Sequence, residues 1–331
     1  MRRWLIGVAA VIAIAAPARA GTHITFVTDW KAQAEHGGFY EALAEGLYKK
    51  AGLDVAIMEG GPSVNVPAIL AGGAADFGIG SNGFIPLNMV REGVRVKAVM
   101  AVFQKDPQVL ITHPRKDVTS LAAMKGKPIM IADASRVAFW PWLKAKYGFS
   151  DTQIRKYTFD LAPFLIDPSA IQEGYLTSEP YTIAHEGHVR AQVFLLADNG
   201  YPGYANMVLV PEKWIRSKPE AVEAFVRATS AGWKDYVFGD PRPANALIKR
   251  DNPEMSDGLI ADAIARMRSY GLVASGDAAR MGIGAMTEAR WQTFFQTMAS
   301  EGLYPKTLAY RDAYELRFVR AGGLAMAPAS K

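Results

Sequence analysis

The chain has 331 residues, half of them hydrophobic and 21% charged, a composition too apolar for a disordered body. Its formal net charge is +5, but three of the 37 basic residues and none of the 32 acidic ones fall in the first twenty positions, so the remainder carries only +2. No later stretch clusters Lys and Arg with aromatics, which leaves nucleic-acid binding unsupported, and the lack of Cys excludes disulfides, a lipid-anchored cysteine and thiol catalysis.

Arg2 and Arg3 precede an apolar run over 4–16, and Ala18-Arg19-Ala20 gives the small-x-small pattern of a cleavable signal peptide. The run is shorter than the roughly 20 residues that span a bilayer. Residues 1–20 are therefore expected to be removed near Ala20, leaving a soluble periplasmic protein with no stable membrane insertion. The remaining length exceeds what one hydrophobic core usually holds and points to two lobes.

The first part of lobe 1 is expected over 21–107. HITFVTDW (23–30) alternates as a strand, and Phe39, Leu43, Leu47 and Ala51 follow at helical spacing until Gly52, before the strand LDVAIMEG (53–60). Ser63 is placed to cap a helix through Val66, Ile69 and Leu70, and ADFGIG (75–80) is strand-like. Asn82 is placed to cap a helix through Ile85 and Met89, and VKAVMAVF (96–103) is the next strand. Such alternation indicates an α/β lobe with a largely parallel sheet.

Lobe 2 is expected over 108–210. Its strands are QVLIT (108–112), PIMIA (128–132), YTFDL (157–161), QVFLLA (192–197) and MVLVP (207–211), with helices over 121–124, 136–147 and 168–173. Residues 211–320 read as consecutive helices with Val222, Phe225 and Val226 inward, returning to lobe 1. The small, polar tail over 321–331 is expected to fray.

The chain has no nucleophile elbow, HExxH, P-loop or dinucleotide fingerprint. His185 and His188 are spaced as a metal pair could be, but Gly187 lies between them and no further ligand clusters there, so a solvated loop pair and no metal is the reading. Aromatic, amide and charged residues fall instead where strands end and helices begin: Asp29-Trp30, His36 to Tyr40, Ser81-Asn82, and Arg136 with Trp140. In open α/β sheets ligands lie outside the carboxyl ends of the strands, beside free helix N–H groups. Paired Gly37-Gly38 would let a ligand approach the backbone. Each residue also has a plainer reading. Phe39 fits the buried helix stripe, Asp29 suits a loop cap, one of Phe139 and Trp142 faces core, Tyr201 and Tyr204 can pack on their Pro-Gly turn, and Glu179 sits where an exposed Glu is ordinary.

The run DW-x5-H-GG-FY-x-A-x2-EGLYKKAGLDV, followed by GGP…VPAILAGGAADFGIGS, resembles the NMT1/THI5-like group of periplasmic solute-binding proteins, related to the nitrate, sulfonate and taurine binders of ABC importers. The resemblance implies a two-lobed, type II Venus-flytrap of α/β class, with a helical C-terminal segment packing on lobe 1 and crossing segments near 108–113 and 204–211. It also implies ligand contacts from Trp30, His36, Tyr40 and Glu179, and an ABC permease with its ATPase as partners. Ser178 stands where many relatives carry Trp. The fungal enzymes of the group build the thiamine pyrimidine from themselves and rely on a Cys-rich segment, which this chain lacks.

The candidate ligand-binding set is Asp29, Trp30, His36, Tyr40, Ser81, Asn82, Arg136, Trp140, Glu179 and Tyr204, with no catalytic residue, metal or cofactor. A monomeric carrier of a small heterocycle is the leading expectation, a thiamine-precursor pyrimidine first. Sulfonate, taurine or nitrate, held by Arg136 and the Ser81-Asn82 helix start, and a riboflavin-like vitamin are alternatives. Two other classes are a pyrimidine-biosynthesis enzyme, with His36 as acid-base or self-sacrificing residue and Lys31 as a carbonyl-binding amine, and a sensor's partner module.

Overall fold

The computed structural model describes residues 21–320 and 323–328, so the signal peptide expected over 1–20 lies outside the described residues. The chain first lays down β1 (Thr22–Val27), β2 (Leu53–Met58), β3 (Phe77–Asn82) and β4 (Val96–Phe103). It then crosses to a second sheet built from β5 (Gln108–Thr112), β6 (Ile129–Ile131), β7 (Ile154–Lys156), β8 (Ile171–Tyr175) and β9 (Gln192–Leu195), and returns as β10 (Ala205–Pro211). The sheet orders are β2-β1-β3-β10-β4 and β7-β6-β8-β5-β9. Two α/β lobes result, joined by residues 104–107 and 196–204.

Both sheets are mixed rather than largely parallel. β10 runs antiparallel to β3 and β4, and β5 runs antiparallel to β8 and β9. The return strand β10 belongs to the first sheet, so the boundary expected at 210 and the crossing expected over 204–211 both move to the segment before it. The run from Ala205 to Val210 is buried throughout, as a strand flanked on both edges requires. The helix expected over 168–173 is instead β8, the middle strand of lobe 2, and the strand expected over 157–161 is not one. Polar Gln172 and Glu173 conceal β8 in the sequence, because burial of a strand's polar positions depends on what tertiary structure sets against them.

Lobe 1 turns on a smaller scale as well. Gly46, at φ 65°, divides the first helical stretch into Gly37–Ala44 and Leu47–Lys50, a backbone state open to glycine at little cost. Asn65, not Ser63, caps the helix Val66–Gly72, accepting from the Ala68 N–H at 3.0 Å.

The helical return packs on lobe 1. Helix Pro219–Phe238 buries Val222, Phe225, Val226, Thr229, Trp233 and Tyr236, the i, i+3, i+4 stripe of a helix with one apolar face. Phe225 meets Phe26, Tyr48 and Phe77 at ring separations of 4.9–5.3 Å, and the Tyr48 and Thr229 hydroxyls are hydrogen-bonded at 2.8 Å. Each such ring withdrawn from water contributes about 1.5–3 kcal/mol. The described part of the tail is held rather than frayed. Leu324 is buried, the Ala325 N–H donates to Ser230 Oγ, and the Ala325 carbonyl accepts from the Ile283 N–H.

Candidate functional site

At the carboxyl ends of β1 and β3, three residues singled out from the sequence meet. Asp29 accepts from the Ser81 hydroxyl through Oδ2 (2.5 Å), and its Oδ1 lies 3.0 Å from His36 Nε2. His36 is almost fully buried, and its Nδ1 has no hydrogen-bond partner among the described residues. The order Ser, Asp, His is not that of a hydrolytic triad. In a triad the imidazole touches the hydroxyl it activates, whereas here the carboxylate stands between them and orients both. The trio is therefore a fixed polar platform. Trp30 adjoins it, partly exposed, at the rim.

Lobe 2 closes over this platform. The Thr177 hydroxyl donates to the buried Glu35 carboxylate across the lobes, and the Trp30 ring lies 5.0 Å from that of Phe159. Glu179 opens the helix Glu179–Glu186, accepting from the Tyr175 N–H at 2.7 Å and from the Tyr157 hydroxyl at 3.4 Å. Tyr175 sits where the charges of Asp106, Asp29, Glu35 and Glu179 all act on it. Burial pushes the Glu179 and Asp106 carboxyls up to about 7 and Glu173 up to about 8, and raises Glu35 as well. Among the described residues none of these four is ion-paired with a Lys or Arg within 4.0 Å. Acceptors without fixed cations, beside aromatic rings, suit a flat molecule that brings N–H or O–H donors.

The other candidates fall elsewhere. Asn82 accepts from the Phe84 N–H at 3.1 Å and so fixes a helix start. Tyr40 is fully buried, its hydroxyl among Asp251 and Glu59 rather than in the cleft. Trp140 is buried too, donating through Nε1 to Asp151 (2.9 Å), and with exposed Arg136 it borders a surface cavity of about 380 Å³ on lobe 2. Arg136 lies 3.7 Å from Asp133. Gly37 and Gly38 serve packing instead of ligand approach, since a Cβ there would fall 2.0 Å from Tyr236 and 2.1 Å from Trp233. Lys31 is exposed and pairs with Glu254 at 2.9 Å. His185 stacks on Tyr181, and among the described residues no group of three or more His, Asp or Glu is arranged to hold a metal ion.

Tyr204 belongs to the crossings. Its hydroxyl donates to Asp277 (2.5 Å), and the Arg290 guanidinium lies 4.1 Å from its ring centre. Arg290 also donates to the carbonyls of Gln104, Pro202 and Gly203, one cation tying both crossing segments to the helical return.

Sequence reasoning missed Glu35, Asp106, Tyr157, Phe159, Glu173, Tyr175 and Thr177. An isolated Glu within the strand IQEGY is the one available signal, and it is legible only if that segment is read as a strand.

The sequence profile described as NMT1/THI5-like matches residues 33–244, more than half of the chain. The chain belongs to the NMT1/THI5-like family. A riboflavin-binding protein, RibY, of Chloroflexus aurantiacus is 27% identical over 70% of this chain and 67% of its own length. A 4-amino-5-hydroxymethyl-2-methylpyrimidine phosphate synthase of Schizosaccharomyces pombe is 24% identical over 75% of each chain. Among solved structures, the periplasmic aliphatic sulphonate binding protein SsuA of Escherichia coli superposes with a TM-score of 0.68 at 14% identity, over 93% of this chain and 94% of that one. This NMT1/THI5-like chain thus has the periplasmic-binding-protein fold, as the two sheets and paired crossings already indicate.

Proposed function

We propose that this protein is the exported, monomeric solute-binding component of an ABC importer, which captures a small, flat, donor-bearing heterocycle between its lobes and presents it to a permease and its ATPase. A thiamine-precursor pyrimidine is the first candidate and a flavin the second. One observation carries the ligand class: buried carboxylates gather beside Trp30 at the closure without a Lys or Arg ion pair among the described residues. A sulfonate or nitrate entering there would find no Lys or Arg among the described residues paired with these groups, and the cation expected to receive it, Arg136, is exposed beside Asp133. The signal-peptide pattern and the riboflavin-binding relative support export and carriage. An enzyme reading, with Lys31 as carbonyl-binding amine and His36 as acid-base or self-sacrificing residue, finds less support, because Lys31 is engaged with Glu254 and His36 is buried against Asp29.

Closure is the functional step: a ligand bound first to the platform on lobe 1 favours the closed form by its added contacts with lobe 2. Calorimetric titration of the protein with 4-amino-5-hydroxymethyl-2-methylpyrimidine, riboflavin, taurine and nitrate tests the reading. Binding of a ring compound, weakened more than about tenfold in Trp30→Ala with an unchanged melting temperature, is expected. Unchanged affinity in that variant removes Trp30 from the site, and binding of taurine or nitrate alone overturns the heterocycle reading.

A further inference from the structure

We infer that Phe159 is the second-lobe half of an aromatic clamp that, with Trp30, holds the planar ring of the ligand. The inference rests on the heterocycle reading above and names a residue that neither sequence pattern nor family likeness singles out. Three observations converge on it.

Phe159 is half exposed, at 50%, the one Phe so placed among the described residues. Its backbone stands at φ 63°, a left-handed conformation that a bulky side chain rarely adopts. Strain of this kind persists where the surroundings impose it, and it concentrates at ligand clamps. The surroundings do impose it. On one side Tyr157 is buried and its N–H donates to the Ile131 carbonyl at the end of β6. On the other, Asp160 Oδ1 accepts from the Ala162 N–H at 2.9 Å, at the first residue of the helix Ala162–Ile166. Anchored at both ends, the loop presents its middle residue outward instead of burying it.

What that residue meets is the opposite lobe. The Phe159 ring lies 5.0 Å from Trp30, tilted by 55°, and 5.3 Å from Tyr157. Tyr157 in turn reaches Glu179 through its hydroxyl, at 3.4 Å, and so links the ring pair to a buried carboxyl group. Two rings 5.0 Å apart leave no room for a third, since stacking on both faces requires about 7 Å between the outer rings. A ligand ring therefore takes the place of the Trp30 to Phe159 contact as the lobes part slightly. Its edge donors then point at Glu179 and Glu35. Each ring presents one π-face to the ligand, which favours aromatic heterocycles over saturated solutes of equal size.

Calorimetry with riboflavin and 4-amino-5-hydroxymethyl-2-methylpyrimidine, with taurine as the ringless control, separates the clamp from a mere apolar latch. For whichever ring compound binds, Phe159→Ala and Phe159→Leu are expected to weaken affinity about tenfold, and Phe159→Tyr to stay within about threefold. Phe159→Gly accepts the positive φ freely, so it should melt no lower than wild type while losing the same affinity. Phe159→Gly or Phe159→Leu binding within about twofold of wild type, while Trp30→Ala loses tenfold, overturns the clamp and leaves the heterocycle reading standing. Taurine binding without either ring compound overturns both.

Discussion

At the residue scale, the site is a matter of which neighbour each polar atom meets. Asp29, His36 and Ser81 were legible in the sequence because each lies near a junction of strand and helix, Asp29 just past β1, His36 at the start of helix Gly37–Ala44 and Ser81 at the end of β3, and parallel neighbours β1 and β3 bring those junctions together. Tyr40, Trp140 and Tyr204 have the same chemistry as true cleft residues, yet helix phase and partner turn them into the packing. Only the tertiary fold distinguishes a buried ring from a ring at a rim. Glu179 offers a sharp test. Glu179→Gln keeps an acceptor for the Tyr175 N–H but removes the charge that burial disfavours. At pH 8 its melting temperature should equal or exceed that of wild type, while a ring compound carrying an amino donor should bind about tenfold more weakly by calorimetry, a charge-assisted hydrogen bond having become a neutral one. Unchanged affinity would separate Glu179 from the ligand.

At the scale of elements, helix Gly37–Ala44 can carry His36 to the platform because helix Pro219–Phe238 approaches it closely. The approach depends on small residues. A Cβ at Gly38 would fall 2.1 Å from Trp233 Cγ, and one at Gly232 would fall 2.3 Å from the Gly38 carbonyl oxygen. Gly38→Ala is accordingly expected to lower stability by about 1–3 kcal/mol, read as a fall in the denaturant midpoint. The long amphipathic helices after residue 211 were plain in the sequence, since their apolar positions recur at helical spacing over many turns. β8 was not, because five residues containing Gln172 and Glu173 carry no periodic signal, and what makes them a strand is β5 on one side and β6 on the other.

For the molecule as a whole, folding leaves several carboxyl groups poorly solvated. Asp106 and Glu179 at about 7, and Glu173 at about 8, lie above their unfolded values near 4, so between those limits the folded chain binds more protons than the unfolded one. Their contribution to stability is fully present at pH 4 and is lost as the pH rises through 7 to 8. Differential scanning calorimetry of the ligand-free protein should therefore show a melting temperature that falls from pH 5 to pH 8, and a curve flat or rising over that range would contradict the assignment. Length, cysteine content, the signal-peptide pattern, the alternating elements and the helical return were set by the sequence itself, because each depends on composition or on local periodicity. Membership of β10 in the first sheet, the tie of Arg290 to both crossings, and the meeting of Trp30, Phe159, Glu35 and Glu179 were decided by tertiary structure alone. Those residues lie far apart in the chain, and nothing local records that two lobes will close one upon the other.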